Sequence, residues 1–192
     1  MIELPGGVLP WLVALVAILA LWLVYRLRRA RGGRLEQVLN DIGFDRVDNL
    51  VVPNGDEGEI LIDQLILTSQ GLLILEIKDV DGVVFGSDKM QDWTVIRSDK
   101  RFTFSNPLPG LYDRIAAVRQ IVRQVPVDGR VLFLDGAEFS KGQPEHVATL
   151  DQLAERFGEP DKKAAEVKIE AFLPHWELIS KRAGNDDRSE AG

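Results

Sequence analysis

Ile60-Leu61-Ile62-Asp63-Gln64-Leu65-Ile66-Leu67, followed after a short polar loop by Gly71-Leu72-Leu73-Ile74-Leu75-Glu76-Ile77-Lys78, is the stretch on which the reading of the fold turns. Each half is an apolar β-run bounded by turn residues, with charges set inside it. Buried charges are costly unless they are paired or bound to a metal ion. Successive side chains alternate between faces, so Glu76 and Lys78 share one face with Ile74, and Ile77 takes the other. If Leu67 pairs with Leu72 across the loop Thr68-Ser69-Gln70-Gly71, Asp63 falls opposite Glu76. Directly opposed residues of an antiparallel pair share a face with Cβ atoms ~4.5–5.5 Å apart. A one-residue slip would send Asp63 to the wrong face. The competing reading is a solvated hairpin carrying a simple Glu–Lys pair.

Working outward, Leu35–Ile42 predicts a short helix stopped by Gly43, and Phe44–Val52 a strand, with a turn at Pro53-Asn54-Gly55-Asp56. Short strands follow at Val83–Phe85, Trp93–Arg97 and Arg101–Phe104. Asn106-Pro107-Leu108-Pro109 ends that region. Leu111–Val125 has a helical stripe of Leu111, Ile115, Val118, Val122 and Val125. Arg130–Asp135 reads as a buried strand and Thr149 as the N-cap of a helix over Leu150–Phe157. Ala164–Ser180 reads as a helix interrupted near Pro174. The order predicts an α/β fold, one mixed sheet flanked by helices. Trp93 is read as core, with base stacking as the alternative, Trp176 as a lid on the core, Gly82 and Gly86 as turn glycines, and His146 as a surface loop residue.

The N-terminal region differs in character. Val8 to Tyr25 contains no charge over 18 residues and is followed by Arg26, Arg28, Arg29, Arg31 and Arg34. As a helix this run is ~27 Å long, close to the ~30 Å of a bilayer core. It predicts a single membrane span whose basic side faces the cytoplasm. A cleaved leader fits less well, because the residues before the run carry Glu3 and no basic residue, and no small-residue cleavage site follows. The expected organisation is a tail outside the membrane at 1–7, a span at 8–25, a basic linker at 26–34 hinged at Gly32-Gly33, a domain over 35–182, and a disordered end at 183–192. The expected place is the cell membrane, N-terminus outside and C-terminal domain in the cytoplasm.

Of the 23 basic and 30 acidic residues, five and one precede Leu35, which leaves the body with 18 against 29. Such a body disfavours loose, field-driven binding of nucleic acid, without excluding a local basic site. The chain has no cysteine and two histidines, His146 and His175, so thiolate chemistry is excluded and zinc or Ser-His-Asp chemistry lacks material. Any metal would be held by oxygen ligands, which points to hard cations.

Asp63 followed by Glu76-Ile77-Lys78 resembles the D…(E/D)-x-K core of PD-(D/E)xK nucleases. With Ile62-Asp63-Gln64-Leu65, Gly71 to Asp79, Gly82-Val83-Val84-Phe85-Gly86, Trp93 and Asn106-Pro107-Leu108, the ordered set resembles the nuclease-related domain, NERD, over about Arg34 to Glu138. The resemblance implies a restriction-endonuclease-like mixed sheet, preceded here by the apolar helix. It also implies metal-assisted hydrolysis of DNA or RNA, with Mg²⁺ or Mn²⁺ held by Asp63, Glu76 and the carbonyl of Ile77, and with Lys78 as the third catalytic group. Glu36 matches the family's acidic position on the first helix. Arg97, Lys100, Arg101 and Arg114 are the candidate phosphate contacts. The sequence departs from the family pattern Asn-Pro-Leu-x-Gln at Gly110, where a polar side chain is missing. The resemblance therefore leaves two functions open: a membrane-anchored nuclease, or an inactive module serving as an anchored nucleic-acid-binding or scaffold protein.

Overall fold

The computed structural model describes residues 9–55, 58–158 and 162–189. The chain divides into two units, residues 1–37 and 38–192. Helix α1 runs from Leu9 to Ile42. In the first unit the large apolar side chains of Trp11, Val13, Val16, Ile18, Leu21 and Tyr25 are exposed. The helix does not break at Gly32-Gly33, where a hinge was expected. Arginine and leucine flanking the glycine pair are good helix formers, and two glycines cost only about 1 kcal/mol each. The apolar run is thus the first part of a longer helix that becomes charged. Among the described residues no helix is long and apolar enough to cross a membrane, so the span expected over 8–25 is not shown. The expected tail at 1–7 lies outside the described residues.

The second unit is a mixed α/β body. Strands β1 (Gly43–Pro53), β2 (Glu59–Thr68), β3 (Gly71–Lys78), β7 (Val127–Phe133) and β9 (Val147–Thr149) form a five-stranded sheet in the order β1-β2-β3-β7-β9. The first three are antiparallel neighbours, whereas β3, β7 and β9 run parallel. A second sheet, ordered β6-β5-β4-β8, is built from β4 (Gly82–Phe85), β5 (Asp92–Arg97), β6 (Lys100–Ser105) and β8 (Ala137–Glu138). One sheet was expected; the chain instead leaves the first sheet after Lys78 and starts another at Gly82. The very short β8 and β9 carry too few residues to show a period of two, so periodicity could not announce them.

Register follows the loop. Leu67 pairs with Leu72, Leu65 with Ile74 and Gln64 with Leu75. Gly71 closes the turn at φ 121°, a conformation glycine adopts without strain, and a Cβ there would collide with the Pro126 carbonyl. Thr68 Oγ1 donates to the Gly71 carbonyl at 2.9 Å, and Leu72 N donates to the Pro126 carbonyl at 2.9 Å. Both alternating sets of β3 are buried, Leu72 and Ile74 as well as Leu73 and Leu75, as for a strand covered on both faces.

Helix α2 spans Leu108–Ile121, starting three residues before the expected Leu111 and ending before Val125. Prolines are suited to a first turn, where their missing N–H has no partner to lose, so Pro109 opens the helix rather than blocking it. Leu111 and Ile115 pack over Gly129 of β7, where an added Cβ would stand 2.9 and 2.8 Å from them. Helix α3 (Leu150–Phe157) has the expected Thr149 cap, a reciprocal one with Gln152. Helix α4 (Lys162–Ser189) passes through Pro174 without interruption, with Ile169 buried before it and Trp176 and Ile179 after it. It also continues into the region expected to be disordered, as far as Ser189; residues 190–192 lie outside the described set. Trp176 is 3% exposed and donates from Nε1 to Asp45 Oδ2 at 2.8 Å, as a lid on the core would.

Trp93 is fully buried, which removes base stacking as its role. Its ring lies parallel to Phe133 at 6.2 Å and edge-on to Phe104 and Phe139. Gly86 is not a turn residue: a Cβ there would overlap the Trp93 indole, so it is bare to admit that ring.

Candidate functional site

Glu76 sits near the end of β3, on the face that α2 covers, and is 8% exposed. Two cations answer it. Lys78 Nζ is 2.8 Å from Oε1, and Arg114 Nη1 of α2 is 3.6 Å from Oε2. Arg114 is itself tethered, since its Nε donates to the Leu61 carbonyl of β2 at 2.7 Å. Oε2 is nonetheless buried with no hydrogen-bond partner. A carboxylate oxygen in that condition is destabilised unless something occupies its lone pairs.

Asp63 is half-buried on β2. The β2–β3 ladder ends at Gln64–Leu75, so Asp63 and Glu76 are the next residues on their strands in the expected register. On its other side, the β1–β2 ladder goes from Asp48–Gln64 to Leu50–Ile62, stepping over Asn49 and Asp63. Asn49 has φ 54°, a left-handed conformation that asparagine tolerates better than most residues. Asp63 therefore lies at a local irregularity of the sheet, a departure that no sequence period signals.

Glu36 is exposed on α1, in the first unit. Ile77 is half-buried and pairs with Leu132 of β7. Of the four basic candidates, Arg114 is the one ion-paired to Glu76. Arg97 pairs instead with Asp81 at 3.4 Å. Lys100 and Arg101 are exposed at the start of β6, beside Arg97 and Ile96. Among the described residues no group of three or more histidines or acidic residues gathers as a metal site. A magnesium-like ion needs fewer, since it commonly takes one or two carboxylates and keeps several waters. The open Oε2 of Glu76, with Asp63 next in register, fits such an ion.

Asn106 stands out in the sequence only as part of a motif, yet it positions the helix that carries Arg114. Its Oδ1 accepts from Leu108 N at 2.9 Å, and its Nδ2 donates to the Met90 carbonyl at 2.8 Å and more loosely to the carbonyls of Ser87 and Asp88. One side chain thus accepts from the first N–H of α2 and ties the helix to the loop between β4 and β5.

A second polar cluster was not foreseen. Arg130 of β7 is 4% exposed and grips Asp128 with two bonds, Nη1 to Oδ1 at 2.7 Å and Nη2 to Oδ2 at 2.8 Å. Burial pulls the Arg130 guanidinium below its ordinary pKa, while Asp128 opposes that shift. His146 Nδ1 lies 2.8 Å from Arg130 Nη1 and its ring meets Tyr112 edge-on, so this histidine is half-buried and engaged rather than free on a loop. Burial, with smaller contributions from Asp88 and Glu145, raises the Tyr112 phenol above its usual value. A cleft of about 520 Å³ lined by Arg130, Gln143, Gln152 and Arg156 adjoins this cluster and does not include Glu76. Its guanidinium is already satisfied by Asp128, which marks the cluster as a brace between β7, the approach to β9, and α3.

Comparison with known proteins bears on the family of the chain. An uncharacterized protein of Bacillus anthracis is 30% identical over 63 residues, which cover 33% of this chain and 30% of that protein. The chain thus spans about a third of that relative's length. No solved structure matches. The family profile of the nuclease-related domain matches residues 27–134, more than half of the chain and including Asp63, Glu76, Lys78 and Arg114. The chain belongs to the nuclease-related domain (NERD) family.

Proposed function

We propose that this protein is a metal-dependent nuclease that hydrolyses phosphodiester bonds of DNA or RNA while held at the cytoplasmic face of the cell membrane by the apolar part of α1. The observation that carries the proposal is Glu76, a buried carboxylate with one oxygen bonded to Lys78 and the other unbonded. Asp63, Glu76 and the carbonyl of Ile77 would hold Mg²⁺ or Mn²⁺. The ion would supply Lewis-acid chemistry and an activated water. Lys78, fixed by Glu76, would hold a proton-bearing ammonium toward the attacked phosphorus and stabilise the developing negative charge. Arg114 would add a second fixed cation for a phosphate oxygen, with Arg97, Lys100 and Arg101 as outer contacts along the strand. Membrane attachment is supported by exposed apolar side chains such as Trp11, Val16, Leu19, Trp22 and Tyr25 and by the arginines after them in the sequence.

The test uses purified protein in detergent with Mg²⁺ or Mn²⁺ and labelled DNA and RNA, single- and double-stranded. Wild type should cleave at least one, and Asp63→Ala and Lys78→Ala should each lose on the order of 10²–10³-fold in rate. Equal cleavage by all three would end the proposal. A second reading, a catalytically weak or inactive module that binds or scaffolds nucleic acid at the membrane, is favoured by the glycine at position 110 and by the acidic balance of the body. It requires binding without cleavage in the same assay.

A further inference from the structure

Gly110 and Arg114 lie four residues apart on α2 and so share one face of the helix. A Cβ on residue 110 would stand 2.9 Å from Arg114 Nη1. The guanidinium therefore lies over the bare backbone of Gly110, in space that any side chain there would contest. Glycine disfavours helix by roughly 0.5–1 kcal/mol, so helix formation gives no reason for it at this position. Its consequence is to seat a cation against Glu76.

That cation is held in an unequal way. Nε is bonded to the Leu61 carbonyl at 2.7 Å, while Nη1 stays 3.6 Å from Glu76 Oε2, too far to hydrogen-bond. Attraction to Glu76 is thus coulombic and open to competition, whereas the tether to β2 holds the arginine in place. Lys78, by contrast, makes a short bond to the other oxygen at 2.8 Å.

We propose that Arg114, given room by Gly110, is an exchangeable counter-ion of Glu76: it and a divalent cation compete for Oε2, and when the cation takes that oxygen the guanidinium is left, still tethered, to bind a substrate phosphate. This rests on reading Glu76 as the metal carboxylate. It gives Gly110 a role: the bare backbone there leaves room for a charge supplied from one turn later. It also makes metal and phosphate binding cooperative, because the ion at Glu76 releases the cation that the phosphate needs.

The experiment titrates Mn²⁺ into the full-length protein in detergent micelles, following free Mn²⁺ by electron paramagnetic resonance, with wild type, Glu76→Gln, Arg114→Gln and Gly110→Met. Arg114→Gln removes the competitor and should tighten Mn²⁺ about fivefold or more. Gly110→Met keeps Arg114 and its bond to Leu61 but crowds the guanidinium, and should move affinity the same way by less. With Ca²⁺ present, Arg114→Gln should bind a short DNA duplex more weakly than wild type. Mn²⁺ affinity that is unchanged or weaker in both Arg114→Gln and Gly110→Met, while Glu76→Gln abolishes binding, overturns the exchange and leaves the metal reading standing. Wild-type Mn²⁺ binding by Glu76→Gln overturns both.

Discussion

At the scale of single residues, two arginines in this fold face carboxylates under opposite conditions. Arg130 is bonded twice to Asp128 and is almost wholly buried, whereas Arg114 stands off Glu76 and retains some exposure. The first arrangement stabilises only while it is complete, because removing one partner strands a desolvated charge. Asp128→Ala should therefore lower stability by about 2–4 kcal/mol in urea denaturation, whereas Arg130→Met paired with Asp128→Ala should recover much of that loss. If Asp128→Ala unfolds at the wild-type midpoint, the brace is not energetically important. The sequence showed the charges of Asp63, Glu76 and Lys78 and put Glu76 and Lys78 on one face, where they pair, because alternation is a local rule. It could not show that Arg114 reaches Glu76, since a helix and a strand thirty-eight residues apart meet only through packing.

At the scale of elements, the β2–β3 hairpin was legible because a four-residue loop and a period of two leave few registers, and Leu67 does pair with Leu72. Helix α2 was legible in its apolar stripe and misread at its start, where two prolines look like an end but serve as the cap and part of the first turn. Asn106 makes the difference. Asn106→Ala loses the bond to Leu108 N and the ties to the β4–β5 loop, and should cost about 1–2 kcal/mol of stability. The same change should loosen Arg114, so nucleic-acid binding should weaken more than the stability loss alone explains; fluorescence anisotropy at a temperature well below the transition checks this. Gly86→Ala forces a methyl group into the Trp93 ring and should cost roughly 1–3 kcal/mol, read as a lowered thermal midpoint with altered tryptophan fluorescence. A wild-type midpoint for Gly86→Ala would show that the ring has room to move.

At the scale of the whole molecule, the second sheet is the main departure from expectation. Three of its four strands were foreseen one by one at 83–85, 93–97 and 101–104 and the two-residue β8 was not, and which strands join is decided by long-range pairing. The proposed attachment to lipid belongs to this scale too. Replacing Val16 and Leu19 of α1 with lysine should abolish co-sedimentation with vesicles of mixed neutral and anionic phospholipid, since a lysine near the middle of a bilayer costs about 2.5–3.5 kcal/mol. Removing only the charge of Arg28 and Arg29 should lower binding to anionic vesicles more than to neutral ones. Undiminished sedimentation of the double-lysine variant would exclude α1 as the anchor.

By itself the sequence determined the local periods: the longer strands and helices, that Lys78 shares the face of Glu76, and that the chemistry available is that of oxygen ligands and ammonium groups. Tertiary structure alone decided that there are two sheets, that Asp63 sits at an irregularity beside Asn49, and that Arg114 rather than Arg97 stands at Glu76. The physical reason is range. Alternation and capping act over a few residues and leave a mark in composition, whereas the neighbours of a buried carboxylate are chosen by the packing of elements distant in the chain, to which no single stretch of sequence is tied.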